Sequence, residues 1–159
     1  EAYKSLWRFC LDMDLIKVIR ADHRPADEEL KWIIADPRRL TEHTSDRSWV
    51  RLVDVKEALA RRKYSTDDSI VFGVEDTFLT WNNVTLELSS RRYETECKHT
   101  TKTPDILLGA SELGAVYLGA VDFTTLARAG RVNELTDGAI QRANFMFSTE
   151  RKPWCFDGW

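Results

Sequence analysis

The chain has 159 residues, 43% of them apolar and 31% charged, and a formal net charge of −3. That is the balance of one globular domain, or of one domain plus a piece of another, and it excludes a disordered chain. The basic pairs Arg38-Arg39, Arg61-Arg62-Lys63 and Arg91-Arg92 are scattered among acids and give no footprint for nucleic acid, while apolar runs such as residues 106–110 fall far below the roughly 18–20 residues of a membrane span.

In chain order, "EAYKSLWRFCLDMD" sets Leu6, Trp7, Cys10 and Leu11 on one helical stripe, and "LIKVIRA" at 15–21 alternates as a strand does. Pro25 and the acids that follow predict a short helix or turn in "PADEELKWIIAD", ending before Pro37. Asp36-Pro37 and the polar "TEHTSD" place a boundary near 36–45. "RSWVRLVDV" reads as a half-buried strand, followed by a helix with Asp54 as N-cap and Glu57 at its third position. Residues 69–76, 82–90 and 93–100 suit an antiparallel meander. A brief apolar strand at 105–108 then leads to three helices. Ser111 is the expected cap of the first and Asp122 of the second, with Gly130 closing it; the third carries Ile140, Ala143, Asn144 and Phe147 on one face. The fold class is α+β: a strand-helix-meander unit closed by helices.

Chemical motifs are sparse. Cys10, Cys97 and Cys155 are isolated and odd in number, and His23, His43 and His99 lack partners at i+3 or i+4, so neither a disulfide framework nor a metal site is expected. The cysteines read as reduced thiols. Gly109, Gly114 and Gly119 stand five apart, a spacing that serves close packing rather than a phosphate cradle. Cys97 and His99 share a strand face, the arrangement of a nucleophile and its base, but ~6–7 Å is long for direct proton transfer. Asn83-Val84-Thr85 fits a glycosylation sequon by chance, and Asp67, Asp68, Glu94 and Glu96 read as solvated charges. The chain starts at Glu1 with no signal-peptide character, as a processed precursor or an excised piece would. Its last nine residues, "RKPWCFDGW", are too aromatic for a frayed tail and are expected to dock.

The segments "LWRFCLDMDLI" (6–16), "RPADEELKWIIADPR" (24–38), "WVRLVDVKEALARRKY" (49–64), "DTFLTWN" (76–82), "LGASELGAVYLG" (108–119), "LARAGRVNELTDGAIQRANFMF" (126–147) and "PWC" (153–155) resemble, in order and spacing, the C-terminal part of the enhanced-intracellular-survival (Eis) family of GNAT N-acetyltransferases. The resemblance implies residues 1–40 as the end of a central degenerate GNAT-like domain. It implies residues 41–159 as a sterol-carrier-protein-2-like domain, a mixed or antiparallel sheet covered by helices. It further implies an acetyltransferase of aminoglycosides or other polyamines, hexameric in the family; the isolated, reduced cysteines point to the cytoplasm. Acetyl-CoA would be held by upstream acetyltransferase domains, since no [RQ]-x-x-G-x-[GA] turn occurs in these residues. In this family the chain end enters the active-site cleft. Carried over by position, the terminal carboxylate of Trp159 is the catalytic group, and Trp159 and Asp157 bind the substrate. Members usually follow "PWC" with a proline and an acid and end on phenylalanine; this chain ends Phe156-Asp157-Gly158-Trp159. Two other readings stand beside this one: a tail that only packs, and a free-standing sterol-carrier-like module for a lipid or apolar ligand.

Overall fold

The structure is a computed structural model and describes residues 1–46, 48–92 and 94–156. The chain divides into two compact units, one from the described residues of 1–48 with 154–156, the other spanning Trp49–Pro153.

The larger unit is built on a five-stranded mixed sheet of order β3-β2-β1-β4-β5. Its strands are β1 (Asp68–Glu75), β2 (Val84–Arg91), β3 (Glu94–His99), β4 (Ile106–Gly109) and β5 (Val132–Glu134). The meander expected from the alternating runs is present: β1 pairs antiparallel with β2 from Asp68↔Ser90 to Val74↔Val84, and β2 with β3 from Leu86↔His99 to Arg91↔Glu94. β4 lies parallel to β1, with Phe72 opposite Ile106, and β5 runs antiparallel to β4. A central strand must be apolar on both faces, and β1 is buried from Ile70 to Val74.

Four helices complete this unit: α2 (Val55–Arg61), α3 (Ala110–Tyr117), α4 (Phe123–Arg128) and α5 (Ala139–Phe147). Asp54 and Asp122 cap α2 and α4 as expected, accepting from Glu57 N–H at 2.9 Å and Thr125 N–H at 2.6 Å. Gly130 ends α4 at φ +71, a conformation that glycine adopts without strain. Helix α5 packs on β1 and α2 on β3. Between sheet and helices the rings of Phe72, Phe123 and Phe147 meet pairwise at 5.1–6.0 Å, with Leu59, Ile70, Leu86, Leu88, Leu113 and Met146 fully buried around them.

In the smaller unit α1 (Ala2–Leu11) buries no residue, and two short 3-10 turns cover Leu30–Trp32 and Pro37–Arg39. Among the described residues of this unit Leu30 is the buried hydrophobic one; Leu6, Phe9, Leu15, Val18 and Trp32 are all exposed.

Several local expectations are corrected. Residues 15–21 form no strand: the chain turns at 14–15, Leu15 takes φ +65, and no ladder follows. A strand needs a hydrogen-bonded neighbour, and among the described residues 15–21 pair with none. The "RSWVRLVDV" segment is likewise irregular from Ser48 to Asp54, and two of its carbonyls are taken by side chains. Asn82 donates to the carbonyls of Leu52 and Val53, and Trp81 Nε1 donates to Val53 O at 2.9 Å. Ser111 does not cap α3. The strand runs straight into the helix with Gly109 at the N-cap, and the Ser111 hydroxyl donates to Glu112 at 3.1 Å. Finally, Asp68 is no solvated charge, since Arg142 pairs with it at 3.1 Å.

Candidate functional site

The chain end is where the sequence places the chemistry. Its predicted site residues, the Trp159 carboxylate and Asp157, lie outside the described residues. The described part of the tail is less buried than its composition suggests, with Trp154 47% and Phe156 64% exposed. It is nonetheless engaged. Phe156 meets His23 edge-to-face, ring centroids 6.1 Å apart at 87°, and meets Trp154 at 5.9 Å. Beside His23, the Arg24 guanidinium pairs with Glu28 at 2.6 Å and covers the Tyr3 ring at 5.6 Å. Tyr3 in turn sits edge-on to Trp7 at 6.5 Å.

In the larger unit the sequence "DTFLTWNN" forms a turn organised by one buried acid. Asp76 Oδ1 accepts from the backbone N–H of Phe78 (3.0 Å) and Leu79 (2.9 Å) and from Arg51, while Oδ2 accepts from Asn82 Nδ2 at 3.1 Å. Burial opposes its ionisation, but the Leu79 N–H, the Asn82 amide, the Phe78 N–H and the Arg51 charge hold its pKa down at about 2. Asn82 also accepts from Val55 N–H at 3.2 Å, and so ties this turn to the start of α2. Asn83, the sequon asparagine, is occupied in the same turn: it donates to the carbonyls of Asp76 and Thr80 and accepts from Asp76 N–H at 2.7 Å. Trp81 in the same turn is 63% exposed, and its indole N–H donates to Val53 O at 2.9 Å. The signal for the network was an aspartate two and three residues before free N–H groups, the side-chain turn that Asp and Asn build locally.

Next to this turn lies a hollow of about 270 Å³ lined by Asp54, Lys56, Trp81, Asn82, Val84 and His99. Its wall carries an acid, an ammonium and an imidazole, which suits water or small polar solutes rather than a lipid tail. His99 and Cys97 sit on β3 as expected, but the thiol is inert: burial pushes the Cys97 pKa up to about 11. A second buried acid escaped sequence reading. Glu112, 6% exposed in the first turn of α3, pairs with Arg131. Burial raises its pKa, but its own backbone N–H, Arg131 and Ser111 outweigh that and keep it ionised. Among the described residues, no cluster of three or more metal-ligating groups occurs and no helix is long and apolar enough to cross a membrane.

Residues 55–156 match the sterol carrier protein domain family, and residues 1–52 match the acetyltransferase (GNAT) domain family. The crystal structure of Eis1 from Mycobacterium abscessus matches 99% of this chain and 40% of its own, with a TM-score of 0.85 and 38% sequence identity. The chain belongs to the Eis-like family of GNAT N-acetyltransferases. An uncharacterized N-acetyltransferase of Streptomyces coelicolor is 40% identical over 150 residues, covering 94% of this chain and 36% of the relative. N-acetyltransferase Eis of Mycobacterium tuberculosis is 27% identical over 154 residues, 94% of this chain and 37% of the relative. The Eis-like chain described here therefore spans little more than a third of the length of these relatives. Its mixed sheet with covering helices is the sterol-carrier part of that fold.

Proposed function

We propose that these residues form the regulatory and substrate-cleft region of a longer, acetyl-CoA-dependent N-acetyltransferase whose acceptor is an aminoglycoside or another polyamine. Residues 1–40 would close the central GNAT-like domain and residues 41–159 would form the sterol-carrier-like domain. Acetyl-CoA, held by upstream domains, supplies the acetyl thioester. The observation that carries the reading is the match over 99% of this chain to Eis1 at a TM-score of 0.85.

This chain's contribution is at its end. A terminal carboxylate has a pKa of about 3.5 and is ionised at neutral pH, so the Trp159 carboxylate attracts a cationic amine and orients it for attack. It also accepts a proton from the amine, directly or through water. Asp157 adds a second negative charge two residues away. A homo-oligomer in the cytoplasm, hexameric as in the family, is part of the same reading.

The sterol-carrier match raises a second reading, a free-standing carrier of a lipid. Against it, the space between sheet and helices is filled by the Phe72, Phe123 and Phe147 rings, and the hollow at Trp81 is polar-walled. Calorimetric titration separates the two. The expected result is no saturable acetyl-CoA binding by the 159-residue chain, and acetyl-CoA-dependent modification of an aminoglycoside by the longer protein. Sub-micromolar binding of a fluorescent fatty acid, with no acetylation by the longer protein, would overturn the proposal.

A further inference from the structure

The sterol-carrier unit closes its core, yet it turns a group of large side chains out to solvent. Trp49, Val53, Phe78 and Trp81 are between 63% and 87% exposed. They lie on two segments that one network ties together. Trp81 Nε1 donates to Val53 O at 2.9 Å, and Asn82 Nδ2 donates to Leu52 O and Val53 O. Arg51 pairs with Asp76, and its guanidinium lies 5.1 Å from the Phe78 ring centre. Asp76 also accepts from the Phe78 and Leu79 N–H groups. Single exposed aromatics are ordinary, whereas a contiguous apolar group rimmed by polar residues is the mark of an interaction surface. Trp, Phe and Arg are the residues in which protein interfaces are enriched, and Trp and Arg carry much of their binding energy. Because hydrogen bonds already fix both segments, covering them costs little further ordering.

The position of the patch indicates its occupant. The GNAT match runs to residue 52 and the sterol-carrier match begins at residue 55, so the patch stands at the junction of the two. Trp49 and Arg51, which the GNAT match includes, already belong to the compact unit Trp49–Pro153. The chain spans 36% of the Streptomyces coelicolor relative and 40% of the Eis1 chain, and the larger share of an acetyltransferase is left to supply a covering face. We propose that Trp49, Val53, Phe78 and Trp81 form the seat on which the acetyltransferase residues preceding Glu1 of the longer protein dock, through an apolar face of their own. This rests on the reading of the chain as part of a longer acetyltransferase.

The test is hydroxyl-radical footprinting of the longer protein, read by mass spectrometry at Trp49, Phe78 and Trp81, under dilution that leaves it monomeric and at concentrations that assemble it. The reference is the same protein unfolded in urea. The exposures seen here would slow oxidation of these rings less than about twofold, whereas a docked face should slow it about fivefold or more, in the monomer as in the assembly. Cross-links from Lys56, which shares the wall of the hollow with Trp81, should reach residues before Glu1. Protection confined to the assembled protein would place a second copy on the patch and overturn the proposal. Rings oxidised as fast as their exposure here allows, or cross-links from Lys56 that stay within residues 1–159, would overturn it too. Amine acetylation by the same samples reports separately on the function: acetylation with unprotected rings sinks the seat and spares the functional reading, and protected rings cross-linked upstream without acetylation do the reverse.

Discussion

Asp76 shows how one side chain holds a surface turn in place. Four donors converge on its carboxylate, two of them backbone N–H groups that would otherwise be orphaned where the chain leaves β1. Its folded pKa of about 2 lies below the ordinary 3.8, so its contribution to stability is fully present above pH ~4 and is lost as pH falls toward 2. Asp76→Asn keeps the shape but forfeits the charge. It should lower the melting temperature by several degrees at pH 7 and flatten the loss of stability between pH 4 and 2; an unchanged acid limb in thermal melts would refute this. Cys97 makes the opposite case. Its buried thiol, with a pKa near 11, should resist disulfide reagents in the native state and react only on unfolding. Replacement by alanine should leave amine acetylation by the longer protein unaltered, as kinetics would show.

Among the elements, the ends of helices α3 and α5 depend on a residue from neither. Arg62, just past α2, donates to Tyr117 O at 2.8 Å and Phe147 O at 2.7 Å, the last residues of the two helices, and its guanidinium lies 4.5–4.8 Å from the Phe147 and Tyr64 ring centres. A cation there satisfies orphaned carbonyls and complements two helix dipoles at once. Arg62→Leu should cost about 2–4 kcal/mol in urea titration, at 1.5–3 kcal/mol per charged hydrogen bond less solvent screening, and Arg62→Lys should recover only part. Gly114 tests packing. A Cβ there would stand 2.7 Å from the Val50 carbonyl oxygen, so Gly114→Ala should destabilise by about 1–3 kcal/mol, as the same titration would show.

These elements also mark what could be read in advance. The meander, the Asp54 and Asp122 caps and the face of α5 announced themselves because periodicity and capping are local. The three-residue β5 did not, since its pairing to β4 is set by tertiary contact. Residues 15–21 and 48–54 carry strand-like alternation and form none, because alternation signals a buried face and cannot supply a ladder partner. Of the site, Phe156 was legible as an aromatic anchor. Its partner His23, over a hundred positions away, was not, and neither was the Glu112–Arg131 pair, because nothing in one sequence reports such long-range meetings.

At the scale of the molecule the two units differ in kind. The sterol-carrier unit has a closed core of fully buried side chains, whereas the smaller unit leaves most of the apolar residues of α1 and of 15–19 in contact with solvent. Exposed apolar surface of this sort marks a face that something covers, and the GNAT match over residues 1–52 together with relatives more than twice as long supports the proposal that the rest of an acetyltransferase covers it. On that account the longer protein should protect Leu6, Phe9 and Val18 from solvent, and hydrogen exchange of α1 should be slower there than in the 159-residue chain; equal exchange would tell against it.

The central claim is that a carboxylate at the chain end recognises the amine. The most direct measurement is kcat/KM for an aminoglycoside in the longer enzyme with and without Trp159, the Asp157 side chain kept. The account predicts a loss of about 10²-fold, within the range for a positioned proton acceptor, with acetyl-CoA affinity unchanged. Full activity after removal of Trp159 would contradict it.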